Sequence, residues 1–221
     1  MKQTLEFLNG LKSNNTVNWV QDNSNQYEDA RAEVLELARE VILSLSTFDE
    51  SLDPDKNPAL FLNQILRDTR KSKNKDPYLT YFTLRISPLG NDGNEPIYHI
   101  HIEPGASFIS IAYWEPDIFG LQVMRNYITK NLNEFENIIE NAVFKKLFLL
   151  ENSKSMQTLP KGYHPGAPAE KYIKLKSYEF SMPISDQELI NKNIVSSIQA
   201  SFKAGYPLIR FFRKGLGLML I

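Results

Sequence analysis

The stretch that decides the fold runs from residue 78 to residue 114: YLTYFTLRISPLGNDGNEPIYHIHIEPGASFISIAYW. Tyr78 to Ile86 alternates aromatic or branched side chains with Thr and Arg, the two-residue period of a half-buried strand. Ser87 to Pro96 holds Pro88, Gly90, Asn91-Asp92-Gly93 and Pro96, residues that bend the backbone or remove an amide donor, and reads as a hairpin loop. Ile97 to Ile102 is a second strand, Glu103-Pro104-Gly105 a turn, and Phe108 to Trp114 a third strand. Short strands joined this tightly must run antiparallel, because a parallel return needs a crossover of about a dozen residues or more.

Just upstream lies a basic segment, Arg67 to Thr80. Arg67, Arg70, Lys71, Lys73 and Lys75 fall within nine residues, with Asp68 the one anion among them. Leu60-Phe61-Leu62 and Ile65-Leu66 lead into it, so the charge is pinned between two segments that favour burial. Further upstream, Leu5, Leu8 and Leu11 have helical spacing, and Ser13-Asn14-Asn15 ends that helix. Thr16 can cap a second helix, which Asn23-Ser24-Asn25 interrupts. From Gln26 on, Ala30, Val34, Leu37, Ala38, Val41 and Leu45 share one face, opposite Glu33, Glu36 and Glu40. Asp53-Pro54-Asp55 and Asn57-Pro58 break the pattern.

Downstream, Trp114-Glu115-Pro116-Asp117 opens a helix, with Asp117 complementing its dipole. Leu121, Met124, Arg125 and Ile128 follow on one side, and Asn131 to Asn133 pause before a further helical piece, Glu134 to Asn141. Val143 to Leu150 fits strand or helix equally, and Thr158 to Ala169 is a Pro- and Gly-rich loop. Tyr172 to Phe180 reads as part helix and part strand, Ser181 to Ser185 as a turn. A last helix is expected from Ser185, with Glu188 at the capping-box position, to Lys214, kinked at Gly205-Tyr206-Pro207. The expected architecture is one α+β domain over 1–221: a mainly antiparallel sheet flanked by N-terminal helices and a long C-terminal helix.

Composition narrows the function classes. The absence of cysteine excludes disulfides, thiol catalysis and cysteine-based zinc sites. A formal net charge of −1 gives no global field toward nucleic acid or a membrane, and ten acids against two arginines between Asp22 and Asp55 balance the basic segment. Glu6 and Asn9 interrupt the first apolar residues, so no signal-peptide core is expected there. No apolar run approaches the roughly 18 residues of a membrane span, and the expected compartment is the cytoplasm.

Three constellations carry candidate chemistry. In the basic loop, Arg67 and Arg70 could clamp a phosphate or carboxylate, with Lys73 and Lys75 steering it; alternatively Asp68 pairs with an arginine and the lysines are solvated. On the second strand, His99, His101 and Glu103 alternate to one face, a ligand set for a divalent metal or an acid–base pair, or simply imidazoles satisfied by hydrogen bonds. Lys161, Tyr163 and His164 sit in a loop that could close over a site or merely connect. There is no Gly-x-Ser-x-Gly elbow, no phosphate-cradling Gly-rich loop with Lys-Ser/Thr and no dinucleotide fingerprint.

Several blocks, taken in order, resemble a known family. They are Phe7-Leu8 with Leu11, Asn14-Asn15, Trp19 and Tyr27; Arg67-Asp68-Thr69-Arg70 with Ser72-Lys73 and Lys75-Asp76-Pro77-Tyr78; Ile102-Glu103-Pro104-Gly105 with Ser107-Phe108 and Trp114-Glu115-Pro116; Arg125; Pro160-Lys161-Gly162-Tyr163; Leu175-Lys176-Ser177-Tyr178; and Pro207-Leu208 with Phe211-Phe212. Together they are similar to the mainly bacterial domain of unknown function 2461, which implies an α+β domain and no established activity. The leading expectation is a cytoplasmic protein that binds a small anionic ligand through Arg67, Arg70, Lys73 and Lys75, with Lys161 or Tyr163 closing over it. The alternatives are a hydrolase using Asp68, His101 and Glu103, and a non-catalytic interaction protein using the acidic helix or the apolar tail 215–221. The sequence names no cofactor and no oligomeric state, and basic residues beside Tyr78, Tyr81 and Phe82 do not outweigh the acidic helix to make nucleic acid a partner.

Overall fold

The computed structural model describes residues 1–70, 73–91, 93–152 and 155–218. Lys71, Asp92 and the last residues of the apolar tail, 219–221, lie outside the described residues. The three expected strands form as β1 (Phe82–Ile86), β2 (Ile97–Ile102) and β3 (Phe108–Tyr113). With β4 (Leu149–Leu150) and β5 (Tyr178–Pro183) they make one sheet in the order β1-β2-β3-β5-β4, antiparallel at every junction. Around it stand α1 (Lys2–Ser13), α2 (Val17–Asp22), α3 (Ser24–Ser46), α4 (Ile118–Lys130), α5 (Leu132–Ile139), α6 (Ala142–Leu147), α7 (Glu170–Ile173), α8 (Asp186–Leu189) and α9 (Ile194–Gly215).

Local chemistry sets most boundaries. The Thr16 hydroxyl accepts from the Trp19 amide, and Asp117 caps α4 by accepting from the Gly120 amide at 2.6 Å. The ambiguous segment 143–150 resolves into both alternatives, α6 followed by β4. Several expectations differ from the structure: β1 starts at Phe82 and not at Tyr78, and α5 at Leu132 and not at Glu134. Ser181 to Pro183 continues β5 instead of turning, because Ser181 and Met182 pair with Ser110 and Ile109 of the central strand. The capping box of Ser185 and Glu188 forms, yet α8 is a single turn; the Asn191 side chain accepts from the Asn193 amide, and α9 starts anew at Ile194. Pro207 sits inside α9, so the Lys203 carbonyl loses its helical donor while the helix continues.

The register sorts the sheet into two faces. Leu84, Ile100, Ile109 and Met182 form one row, and Ile86, Tyr98, Ile111 and Phe180 the next. This face packs on α3 and α9; a Cβ at Gly205 would come within 1.7 Å of Ile111 Cδ1, so only glycine lets α9 lie this close to β3. The buried side chains form one continuous cluster from α1 through the sheet to α9. The other face carries Arg85, His99, Ser110 and Ser181 in one row, and Thr83, His101 and Phe108 in its neighbour. No helix among the described residues is long and apolar enough to cross a membrane.

One ion pair is built into the interior. Arg213 Nη1 of α9 lies 2.9 Å from both carboxylate oxygens of Asp49, just past α3, and 2.8 Å from Ser51 Oγ. Tyr98 of β2 donates its hydroxyl to Asp49 Oδ2 at 2.9 Å. Asp49 and Arg213 are 0% and 2% exposed, so the pair ties helix, loop and strand together without water.

Candidate functional site

The basic loop closes on itself. Leu66 and Tyr78 bridge, the Arg67 amide donates to Pro77 O at 2.8 Å, and the Leu79 amide to Ile65 O at 2.7 Å. Asn15 clamps Tyr78 from α1's side through both backbone groups. Arg70 forks onto Asp68, Nε to Oδ1 at 2.9 Å and Nη2 to Oδ2 at 2.8 Å, and its side chain is 87% exposed. Arg67 points Nη2 toward Tyr78 O at 3.5 Å, and its Nε is buried without a partner. Lys75 donates to Thr69 O, and Lys73 is exposed. Arg67 and Arg70 thus bond to different groups, one to a carbonyl and the other to an exposed carboxylate.

On the polar sheet face the histidines are held in place. Ser110 donates its one hydroxyl hydrogen to Glu179 Oε1 at 2.9 Å, so at 3.2 Å from its oxygen His99 Nδ1 must be the donor. His101 Nε2 lies 3.0 Å from Glu103 Oε2, and its ring stacks on Phe108 at 4.8 Å. No three His, Asp or Glu side chains among the described residues converge as a metal ion requires. Asp68 is turned to Arg70, while His101 and Glu103 pair with each other.

Burial lowers the pKa of His101 against the raising effect of the Glu103 contact, and neighbouring His99 lowers it further. The folded state therefore resists a proton that the unfolded chain takes up near pH 6.5. Stability from this group is complete above that pH and is lost as pH falls from it through the folded pKa. Thermal melts from pH 7.5 to 5 should show a falling midpoint, and His101→Gln should flatten the slope; an unchanged slope in the variant would assign it to other groups.

A third region gathers charge around a hollow. A cleft of about 560 Å³ opens where β3 ends and β5 begins, at the opposite end of the sheet from the basic loop. Its walls come from the turn Glu115-Pro116, from Leu121, Gln122 and Arg125 of α4, and from Met156, Pro160, Lys161, Lys176 and Ser177. Glu115 has φ +45°, a left-handed backbone rarely adopted by a side-chain-bearing residue, and its amide donates to Ser177 Oγ at 2.9 Å. Next to it the Trp114 ring carries the Arg85 guanidinium at 5.1 Å.

Arg125 is the central group. It is 5% exposed, donates Nη2 to Leu175 O at 2.8 Å, and touches Met156 Sδ at 3.4 Å. Its Nε has no partner, and no carboxylate among the described residues forms an ion pair with it. The buried Tyr178 hydroxyl nearby also lacks a well-formed hydrogen bond; burial pushes its pKa up while the Arg125 charge draws it down. Tyr163 accepts from Gln122 Nε2 at 3.0 Å and donates to Asn126 Oδ1 at 2.7 Å, which moors the 160–163 loop to α4. Of the residues expected from sequence, Lys161 lines this cleft and Tyr163 is bonded to its wall; Arg67, Arg70, Lys73 and Lys75 belong to the loop at the far end. Arg125 and Lys176 were missing from the expected site, although a cation within the apolar stripe Leu121, Met124, Ile128 was a visible signal.

A larger groove of about 900 Å³ runs between α5 and α9, floored by Ile138, Pro207 and Phe211. None of the buried side-chain atoms left without a hydrogen-bond partner belongs to its lining. The smaller cleft is the better candidate because a buried, uncompensated guanidinium lies in its wall.

Four of the blocks that carry the family resemblance border this cleft: Trp114-Glu115-Pro116, Arg125, Pro160 to Tyr163, and Leu175 to Tyr178. No curated protein and no solved structure matches the chain. The family model described as "Conserved hypothetical protein (DUF2461)" matches residues 3–211, nearly the full length, and the chain belongs to that family.

Proposed function

We propose that this is a cytoplasmic protein that binds a small phosphate- or carboxylate-bearing ligand in the cleft beside α4. The observation that carries the reading is Arg125, a buried guanidinium with no carboxylate among the described residues to neutralise it. Burying an unpaired charge is expensive, and an anion entering the cleft would supply the missing counter-ion. Lys161 and Lys176, exposed at the rim, add two further charges against the one carboxylate of Glu115. Gln122 and Ser177 offer neutral hydrogen-bonding groups for orientation. Tyr163, fixed by two hydrogen bonds, sets the position of the loop that brings Lys161 to the rim.

The test is a calorimetric titration with phosphate, alkyl phosphates and short carboxylates. Reversing both rim charges, Lys161→Glu with Lys176→Glu, should weaken binding by about tenfold or more and flatten its salt dependence. If binding survives that change but disappears in Arg70→Ala, the anion sits in the basic loop of residues 67–77 instead.

A further inference from the structure

We infer that the ligand of this cleft is an amphiphile, with its anionic head among Arg125, Lys161 and Lys176 and a hydrocarbon portion lying across Ile118 and Phe119. The inference rests on the anion-binding reading and extends it to the ligand's other end. Ile118 and Phe119 are 91% and 79% exposed, the most exposed large apolar side chains among the described residues and the one pair of them adjacent in sequence. Isolated exposed apolar residues need no explanation, but a contiguous apolar patch with a polar rim marks a contact surface.

Their placement is fixed by the helix start. Asp117 caps α4, so Ile118 and Phe119 occupy its first turn while Leu121, Gln122 and Arg125 turn toward the cleft. Ile118 itself forms part of the cleft wall, with Pro116, Leu121, Met156 and Pro160 as further apolar lining. The three cations thus share a cleft with Ile118, and the exposed Phe119 follows it in the same helical turn, outside the cleft lining. A free inorganic anion would use the cations and leave Ile118 and Phe119 wet. A molecule with a charged head and an acyl or alkyl body would use both, the head ion-paired and the body shedding water from the two side chains.

The experiment is a chain-length series of n-alkyl phosphates, from methyl to octyl, titrated below their micelle concentrations. For the wild type, affinity should rise by roughly twofold to fourfold per methylene over the part of the chain that meets these two side chains. The variant Ile118→Ser with Phe119→Ser should lose most of the gain with length, so that its octyl-to-methyl affinity ratio falls well below that of the wild type. Both positions are exposed, so an unchanged melting midpoint will confirm that the variant is folded. A flat series in the wild type, with methyl phosphate still bound in a Lys161- and Lys176-dependent manner, overturns the amphiphile and leaves the anion site standing. A gain with length that persists in the double variant also overturns it. No charge-dependent binding of any member defeats the underlying reading itself. Co-sedimentation with vesicles of phosphatidylglycerol in phosphatidylcholine, lost in the double variant, would identify the source as a bilayer lipid; a chain-length effect without co-sedimentation would identify a free amphiphile.

Discussion

Replacing Asp49 by Ala should destabilise the protein by about 3–5 kcal/mol, the loss expected when one partner of a buried ion pair is removed. The reason is the geometry around Arg213. Its Nη1 is satisfied by Asp49 and Ser51, and its Nε and Nη2 have no partner. Without Asp49, a cation that is 2% exposed would keep one hydroxyl contact, and Tyr98 would lose its acceptor as well. A natural domain has only about 5–15 kcal/mol in hand, so the variant should sit near its threshold. Urea unfolding followed by circular dichroism should show a much lower midpoint at an unchanged slope. Asp49→Leu combined with Arg213→Met should recover most of the loss, because it removes both charges together. A single-variant loss below about 1 kcal/mol would show that water reaches Arg213 in the folded protein.

The meander was legible because its signal is local. Alternation in Tyr78–Ile86 and the turn residues of 87–96 and 103–105 mark the strands and their direction, and the structure pairs them accordingly, the first from Phe82 on. The helix bearing Ala30, Val34, Leu37, Ala38 and Val41 was equally plain, since these side chains bury along one face. What escaped the sequence were features decided at long range. Ser181 looks like a turn residue and becomes strand because Ser110, far away in the chain, is there to pair with it. Asp49 and Arg213, 164 residues apart, carry no mutual mark. The same applies to the site. Clustered charge drew the eye to residues 67–75, whereas the cleft collects its cations singly, Arg125 from a helix, Lys161 from a loop and Lys176 from the approach to β5. Lys161 and Tyr163 were within reach because a Pro- and Gly-rich loop holding them is conspicuous. Arg125 carries a sequence signal too, as a cation within the apolar stripe Leu121, Met124, Ile128.

Arg125 and Arg213 make an instructive contrast, both nearly buried, and only Arg213 paired with a carboxylate among the described residues. Arg213 is therefore expected to act on stability, Arg125 on binding. Arg125→Met keeps much of the side-chain volume and removes an uncompensated charge. The saving in desolvation offsets the bond lost to Leu175 O, so the ligand-free protein should change by less than about 1.5 kcal/mol. Anion affinity, in contrast, should fall by about a hundredfold or more, the loss typical when a desolvated charged partner is truncated. Arg125→Lys should recover little of it, because an ammonium lacks the planar fork that can hold Leu175 O and a ligand oxygen at once. The check pairs calorimetric affinity with thermal melts: ligand should raise the wild-type midpoint and leave that of Arg125→Met unmoved. Should Arg125→Met instead bind as tightly as wild type while unfolding as readily as Asp49→Ala, Arg125 would be a structural strut to the Leu175 backbone, and the cleft would lose the group on which its proposed chemistry depends.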